Sequence, residues 1–427
     1  MPPVTPPHEG RRGGIEAKIE ELVEEYFSLD LDEDPLACPL SVPLYGAAEV
    51  AGAVEALLSQ RVTMGERVRA FEERFADFIG SRHAVMVNSG SSANLLAVSI
   101  LSSRLVPNGL HPGDEVIVPA VTWPTTVSPI IQNGCTPVFV DVDPQTLNLR
   151  PEDLQQAWSP RTRGIFVVHL LGNPVAMEAV MSFARERDLW VMEDTCESLG
   201  STIGDRRAGA IGHVGTFSFY FSHHITTVEG GMLVTNDNRL ADLARSMRAH
   251  GWTRDMSNRA ELESASPWVD PRFLFVHLGY NLRPTELQAA FGLAQLRQLD
   301  NFNQARRSNA KRLLGRLAGV SDELLPVAEQ EGGRSTWFGF PFMLADYPTK
   351  QRLSKHLEAR KIETRAIVAG NLAVQPAFRD TSHRTVGSLA NATAISQRGL
   401  FIGNHPRLDD RRIDHIVGAF ESFFAAG

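Results

Sequence analysis

Between Lys18 and Lys311 the 427-residue chain contains no lysine. Chemistry in which a side-chain amine captures a carbonyl compound is therefore excluded from most of the molecule. Cysteine is scarce as well. Cys38, Cys135 and Cys196 lie far apart, which argues against a disulfide framework or a Cys-x-x-Cys metal site and suits a reducing cytoplasm. Positive charge is in deficit, with 42 Lys and Arg against 50 Asp and Glu and a net charge of −8. A nucleic-acid or anionic-membrane surface needs a concentrated positive field, so neither partner is expected. No apolar run is long enough to span a bilayer, and the opening "MPPVTPPHEGRRGG" lacks the apolar core of a secretory signal. What remains is a small-molecule partner met in the cytoplasm.

Apolar residues make up 43% of the chain, enough for one large core and a smaller lobe. The Pro- and Gly-rich start reads as a mobile lead-in. It is followed by "IEAKIEELVEEYF", whose Ile15, Ile19, Leu22 and Tyr26 recur at helical spacing and predict a helix docked on the body. From "HAVMV" onward, short β-rich runs ("DEVIVPA", "TPVFVDV", "GIFVVHLL", "LWVMED") alternate with amphipathic stretches such as "SSANLLAVSIL". Strands buried on both faces and separated by helices predict an α/β domain with a mostly parallel sheet. The expected division is a lead-in and helix over 1–40, a large domain over 41–290 and a small α+β domain over 291–427, joined by one long helix starting near Arg283.

Four motifs could carry chemistry. In "VNSGSSANLL" a strand ends at Gly90-Ser91-Ser92 and a helix begins, so free backbone N–H groups could hold a phosphate; plain N-capping by serine accounts for the motif equally well. In "LWVMEDTCESLGS" Glu193 and Asp194 end a strand and Glu197 follows. A carboxylate there could pair with a protonated ring nitrogen, or simply cap a helix. Trp123 in "VPAVTWPTT" could stack on a ring, although a tryptophan is more often core. In "FSFYFSHHITTVEGG" Ser218 precedes His223 and His224, where structural and proton-transfer roles for imidazole both stand.

Taken in order, "NSGSSANLL", "VPAVTWPTT", "LLGNP", "EDTCESLGS", "SFYFSHHITTVEGG" and "GYNLRPTELQAA" resemble the sugar aminotransferase family of pyridoxal-phosphate (PLP) enzymes. The resemblance implies the aspartate-aminotransferase fold. It covers nearly the whole chain after about residue 40. Most members hold the cofactor on a lysine; a small branch has histidine there and removes a sugar hydroxyl. "RAHGWTR", "STWFGF", "IVAGN" and "GLFIGNHP" are similar to branch members that act on a GDP-linked sugar. A second histidine-bearing group carries a [2Fe–2S] cluster on four cysteines. The segment after Arg248, "AHGWTRDMSNRAELES", has none, so no iron–sulfur cluster is expected.

By this resemblance His223 stands at the lysine position as acid/base. Asp194 would pair with the pyridine nitrogen, Trp123 would stack on the ring and Glu197 would lie near its hydroxyl. Gly90, Ser91 and Ser218 would hold the phosphate, with Asn281 reaching in from the other subunit of a homodimer. His224, His250, Arg254, Arg283 and Arg365 are candidate contacts for substrate or glutamate, with solvated salt bridges the alternative for the arginines. The implied reaction is PLP/pyridoxamine-phosphate-dependent loss of the C3 hydroxyl from a nucleotide-linked 4-keto-6-deoxy sugar, with L-glutamate as amino donor and no metal. A TDP- or CDP-hexose substrate, ordinary aminotransfer and a catalytically silent binding subunit are the rival readings.

Overall fold

The computed structural model describes residues 7–29 and 34–426. Eight strands form the main sheet: β1 (His83–Val87), β2 (Glu115–Pro119), β3 (Thr136–Val140), β4 (Thr162–Val168), β5 (Trp190–Asp194), β8 (Val214–Ser218), β9 (Gly231–Thr235) and β14 (Arg384–Thr385). The short strands β6 (Thr202–Ile203), β7 (Arg206–Arg207) and β11 (Gly333–Arg334) make a small three-stranded sheet. A four-stranded antiparallel sheet joins β10 (Leu324–Pro326), β12 (Gly339–Leu344), β13 (Thr364–Ala366) and β15 (Gly399–Gly403).

The main sheet runs β1-β9-β8-β5-β4-β2-β3-β14, and β9 alone is antiparallel to its neighbours. Its strands are apolar on both faces because helices cover both. Val116, Val118 and Phe166 enter one buried cluster, while the alternate residues Ile117, Ile165 and Val167 enter another. This is the predicted α/β architecture. Parallel strands bring the carboxyl ends of β1, β2, β5 and β8 to one edge, where ligands of such sheets collect.

Three expectations are corrected. The lead-in is helical from residue 7: one helix spans Pro7–Ser28 and runs through Gly13 and Gly14, while residues 1–6 lie outside the described residues. It rests on the body through Phe27 and Tyr45, but Leu22 and Tyr26 stay exposed. The long connecting helix is two helices, Glu286–Leu296 and Leu299–Leu317, separated at Arg297-Gln298. Thr285 and Gln288 start the first with a capping box, and buried Glu286 accepts N–H groups of Gly65, Arg67 and Val68 at the head of helix Glu66–Ile79. Finally, the C-terminal part is not one separate lobe. β14 pairs with β3, and Leu372, Phe378, Ala392 and Ile395 join the main core.

Candidate active site

Three chain segments meet where β1 ends. Ser89 caps helix Gly90–Leu101 by accepting Ser92 N–H at 3.0 Å, which leaves the N–H groups of Gly90 and Ser91 at the head of the helix. A side chain on Gly90 would collide with Ser218, and one on Gly231 would crowd the Gly90 nitrogen. Glycine is required for this close approach. Ser91 Oγ donates to Thr125 Oγ1 at 3.2 Å and so faces the turn after β2. The result is a cradle of backbone N–H and hydroxyl groups sized for an anion.

Asp194 is the last residue of β5 and is 5% exposed. Its Oδ2 accepts Asn94 Nδ2 at 2.8 Å and Thr126 Oγ1 at 2.7 Å, and its Oδ1 accepts Cys196 N–H at 3.1 Å. Thr216 Oγ1 donates to Asn94 Oδ1 at 2.6 Å and fixes that amide. No cationic side chain pairs with this buried carboxylate among the described residues. Such a group is costly to bury, so it is suited to a positive partner supplied from outside the chain. Asn94, Thr126 and Thr216 had escaped the sequence reading. Their one visible sign is polar character at positions that should be apolar, such as the Asn in "SSANLL".

Trp123 sits at the N-cap of helix Pro124–Gln132, and it is 57% exposed, which leaves the indole free to stack on a ligand. Glu197 Oε2 accepts Leu171 N–H at 3.0 Å from a turn whose Leu171 has a φ of 49°. Burial, with repulsion from Asp194 behind it, pushes Glu197 up to about 7 against the pull of that bond.

The loop after β8 carries the two histidines. His223 is half-buried, its N–H donating to Tyr220 O at 2.9 Å and its ring 5.3 Å from that of Phe338. Its Nδ1 is enclosed without a partner, whereas Nε2 is not enclosed. Burial first, and the charge of Arg306 second, push this imidazole down to about 4; the open edge lets solvent soften the effect without reversing it. His223 is therefore neutral near pH 7. His224 requires a correction. It is 0% exposed, packs on Phe338 at 5.6 Å and has both ring nitrogens enclosed, so it is not open to a substrate.

The remaining candidates fall into two groups. Arg254 and Arg283 line one cavity of about 160 Å³ with Ala249 and Trp252, and Arg254 stacks 4.2 Å over the Trp252 ring. Asn281 is exposed beside it, pairs with Ala249 and accepts Arg283 Nε at 2.9 Å, making no bond to the Gly90 cradle of its own chain. His250, at a φ of 66°, is exposed at the same rim. Arg365 lies apart on β13, at the edge of the four-stranded sheet.

The chain is 42% identical over 387 residues to dTDP-4-dehydro-2,6-dideoxy-D-glucose 3-dehydratase of Saccharopolyspora spinosa, covering 87% of this chain and 83% of that one. It is 40% identical to GDP-4-keto-6-deoxy-D-mannose 3-dehydratase of Escherichia coli O55:H7, covering 86% and 95%. A solved E. coli GDP-4-keto-6-deoxy-D-mannose-3-dehydratase with bound hydrated PLP superposes with a TM-score of 0.85 at 37% identity, covering 90% of this chain and 99% of that one. A second structure of a GDP-4-keto-6-deoxymannose-3-dehydratase, with a trapped PLP–glutamate geminal diamine, has a TM-score of 0.84 at 36% identity and covers 90% and 100%. The profile of the DegT/DnrJ/EryC1/StrS aminotransferase family matches residues 44–421, and the chain belongs to that family.

Proposed function

We propose that this protein is a PLP/pyridoxamine-phosphate-dependent 3-dehydratase of a nucleotide-linked 4-keto-6-deoxyhexose, with GDP-4-keto-6-deoxy-D-mannose the first candidate. L-glutamate is the amino donor, and the products are a 4-keto-3,6-dideoxy sugar, 2-oxoglutarate and ammonia. The observation that carries this reading is a large domain without a lysine, with His223 and a buried Asp194 that has no cationic partner among the described residues.

The residues present fit the cofactor. Gly90, Ser91 and Ser218 would take its phosphate, Asp194 its ring nitrogen, Trp123 its ring face and Glu197 its hydroxyl. When bound in the amine form, the cofactor supplies an amine that joins the 4-keto carbon and a ring that accepts electrons. Without a lysine, no side-chain amine of the large domain could tie up the aldehyde form, which leaves the cofactor free to be converted to the amine form. His223 Nε2 would take a proton from the cofactor carbon that carries the amine and would deliver one to the sugar's C3 oxygen, letting it leave as water. A depressed imidazole suits both halves, being uncharged beforehand and a strong acid once protonated. Asp194 keeps the ring nitrogen charged, and its anchors Asn94 and Thr126 prevent it from turning away.

The work is assigned to a C2 homodimer in the cytoplasm, in which Asn281, Arg254 and Arg283 serve the partner's cofactor and sugar. A dTDP-hexose is the second reading for the substrate, favoured by the 42% identity to the S. spinosa enzyme. Incubation of the purified protein with PLP, glutamate and a panel of nucleotide-linked 4-keto-6-deoxy sugars, with products identified by mass, tests both points. Loss of the C3 hydroxyl with release of ammonia is expected. An aminosugar product would overturn the dehydratase reading.

A further inference from the structure

Arg306 is an uncommon object, a buried cation with no carboxylate partner among the described residues. It sits on helix Leu299–Leu317 at 3% exposure and donates through Nη1 only to carbonyl oxygens, those of Phe338 at 3.0 Å and of Asn404. Its Nε has no partner. A charge held this way is expensive unless the site uses its field. Burial drags even this guanidinium down to about 10. It nonetheless stays charged at neutral pH.

The residues Arg306 holds lead directly to His223. Phe338, whose ring lies 5.3 Å from His223 and 5.6 Å from His224, is clamped twice: its carbonyl accepts from Arg306, and its N–H donates to Leu171 O at 2.9 Å. Asn404 ties the arrangement by donating to Arg306 O at 3.1 Å and to Trp337 O at 2.7 Å. Three histidines with enclosed, unbonded ring nitrogens, His223, His224 and His405, feel the charge of Arg306. We propose that Arg306 is a positioning residue for the reaction, whose grip on Phe338 seats the His223 ring and whose buried charge adds to burial in keeping that ring unprotonated.

The groups that bear on His223 are few. On its own loop they are Tyr220 and His224, and from helix Leu299–Leu317 it is Arg306. Arg307, bonded to Ser335 O at 2.9 Å and Gly200 O at 3.1 Å, acts on His224, and His405 after β15 responds to Arg306, Arg407 and Arg412. No carboxylate pairs with His223 to offset Arg306 among the described residues. A purely structural role for Arg306 would cost stability and leave the imidazole's titration where it was.

The proposal rests on His223 being the acid/base, and the titration that tests it first needs no substrate. In protein labelled with ¹⁵N-histidine, with His223 assigned by loss of its signals in His223→Asn, the ring should remain neutral well below the ordinary histidine midpoint. In Arg306→Met the His223 midpoint should rise by roughly half a pH unit to about one, whereas Arg306→Lys, which keeps the charge, should leave it near the wild-type value. The acid limb of kcat/KM should move with the NMR midpoint. An unmoved midpoint in folded Arg306→Met would overturn the proposal. If that variant does not fold, a wild-type His223 that titrates near 6.5, or an Arg306→Lys protein in which it does, would overturn it equally. Should the titrations behave as expected while no sugar is dehydrated, the substrate reading falls and the role of Arg306 stands.

Discussion

Glu193 and Asp194 are consecutive on β5, yet their carboxylates face opposite sides of the sheet into opposite company. Glu193 accepts four N–H groups: His169 Nε2 at 3.0 Å and the backbones of Gly209, Ile211 and Gly212 at 2.9, 2.7 and 2.5 Å. Val175 N–H donates to His169 Nδ1 at 2.9 Å, which leaves Nε2 as the donor to Glu193. Burial alone would raise Glu193; the His169 bond and the backbone donors outweigh it and hold the carboxyl low. Asp194 has anchors and no cation. One carboxylate is complete within the chain and the other is not.

The first prediction follows from that asymmetry. Glu193→Gln offers an amide nitrogen to donors that need an acceptor, so unfolding free energy should drop by about 2–3 kcal/mol with cofactor affinity changed through stability alone. Asp194→Asn should cost only about 1 kcal/mol in melting experiments but abolish tight PLP binding and turnover. Equal losses of stability in the two variants would contradict the division of labour.

The second concerns the paired histidines. His223→Asn should keep cofactor binding, read from its absorbance, while dehydration falls by on the order of 10² to 10⁴, the range for losing a general acid–base. His224→Asn should act mainly on stability, because that ring is enclosed. His223→Lys should create a borohydride-fixable covalent link to PLP that the wild type lacks. Full turnover in His223→Asn together with none in His224→Asn would reverse the assignment.

Much of this site was legible because its residues stand at strand ends, where motif and position coincide. The alternation that separates Asp194 from Glu193 could not be used without the register of β5. Asn94, Thr126 and Thr216 were hidden because a buried polar residue inside an apolar helix or strand shows only as a small breach of pattern. The enclosure of His224 comes from Phe338, more than a hundred residues away, and no local periodicity reports it. The strand β14 is two residues long, too short to show a period of two, so its return to the main sheet was invisible. No glycine or proline marks the break at Arg297-Gln298.

A third prediction uses Glu197. Its carboxyl is raised to about 7 in the fold from an ordinary 4.5, so the folded state binds the extra proton between those values. Its contribution to stability is present below about 4.5 and is lost as pH rises through 7. The buried histidines act oppositely. His223, lowered from 6.5 to about 4, supports the fold above 6.5 and withdraws that support as pH falls towards 4. The useful quantity is therefore the difference between Glu197→Gln and wild type, measured without cofactor. The variant should gain about 1–3 kcal/mol relative to wild type between pH 4.5 and 7.5. A flat difference across that window would mean that Glu197 is ionised in the fold.

The last prediction concerns the assembly. Asn281 is exposed and bonded to Arg283, not to the Gly90 cradle of its own chain, and in the proposed dimer its phosphate contact is made across the two-fold axis. In a dimer with shared sites, one site draws Asp194 from the first subunit and Asn281 from the second, and the other site does the reverse. A subunit changed at Asp194 paired with one changed at Asn281 then yields one site with both defects and one with neither. Random mixing makes about half of the dimers mixed, each with one intact site of two, so a preparation of two inactive variants should recover about a quarter of wild-type activity. Co-expression with two different affinity tags isolates the mixed dimers and should raise that to about half. Mixed dimers as inactive as their parents would show that each subunit builds its site alone and would remove Asn281 from the cofactor's contacts.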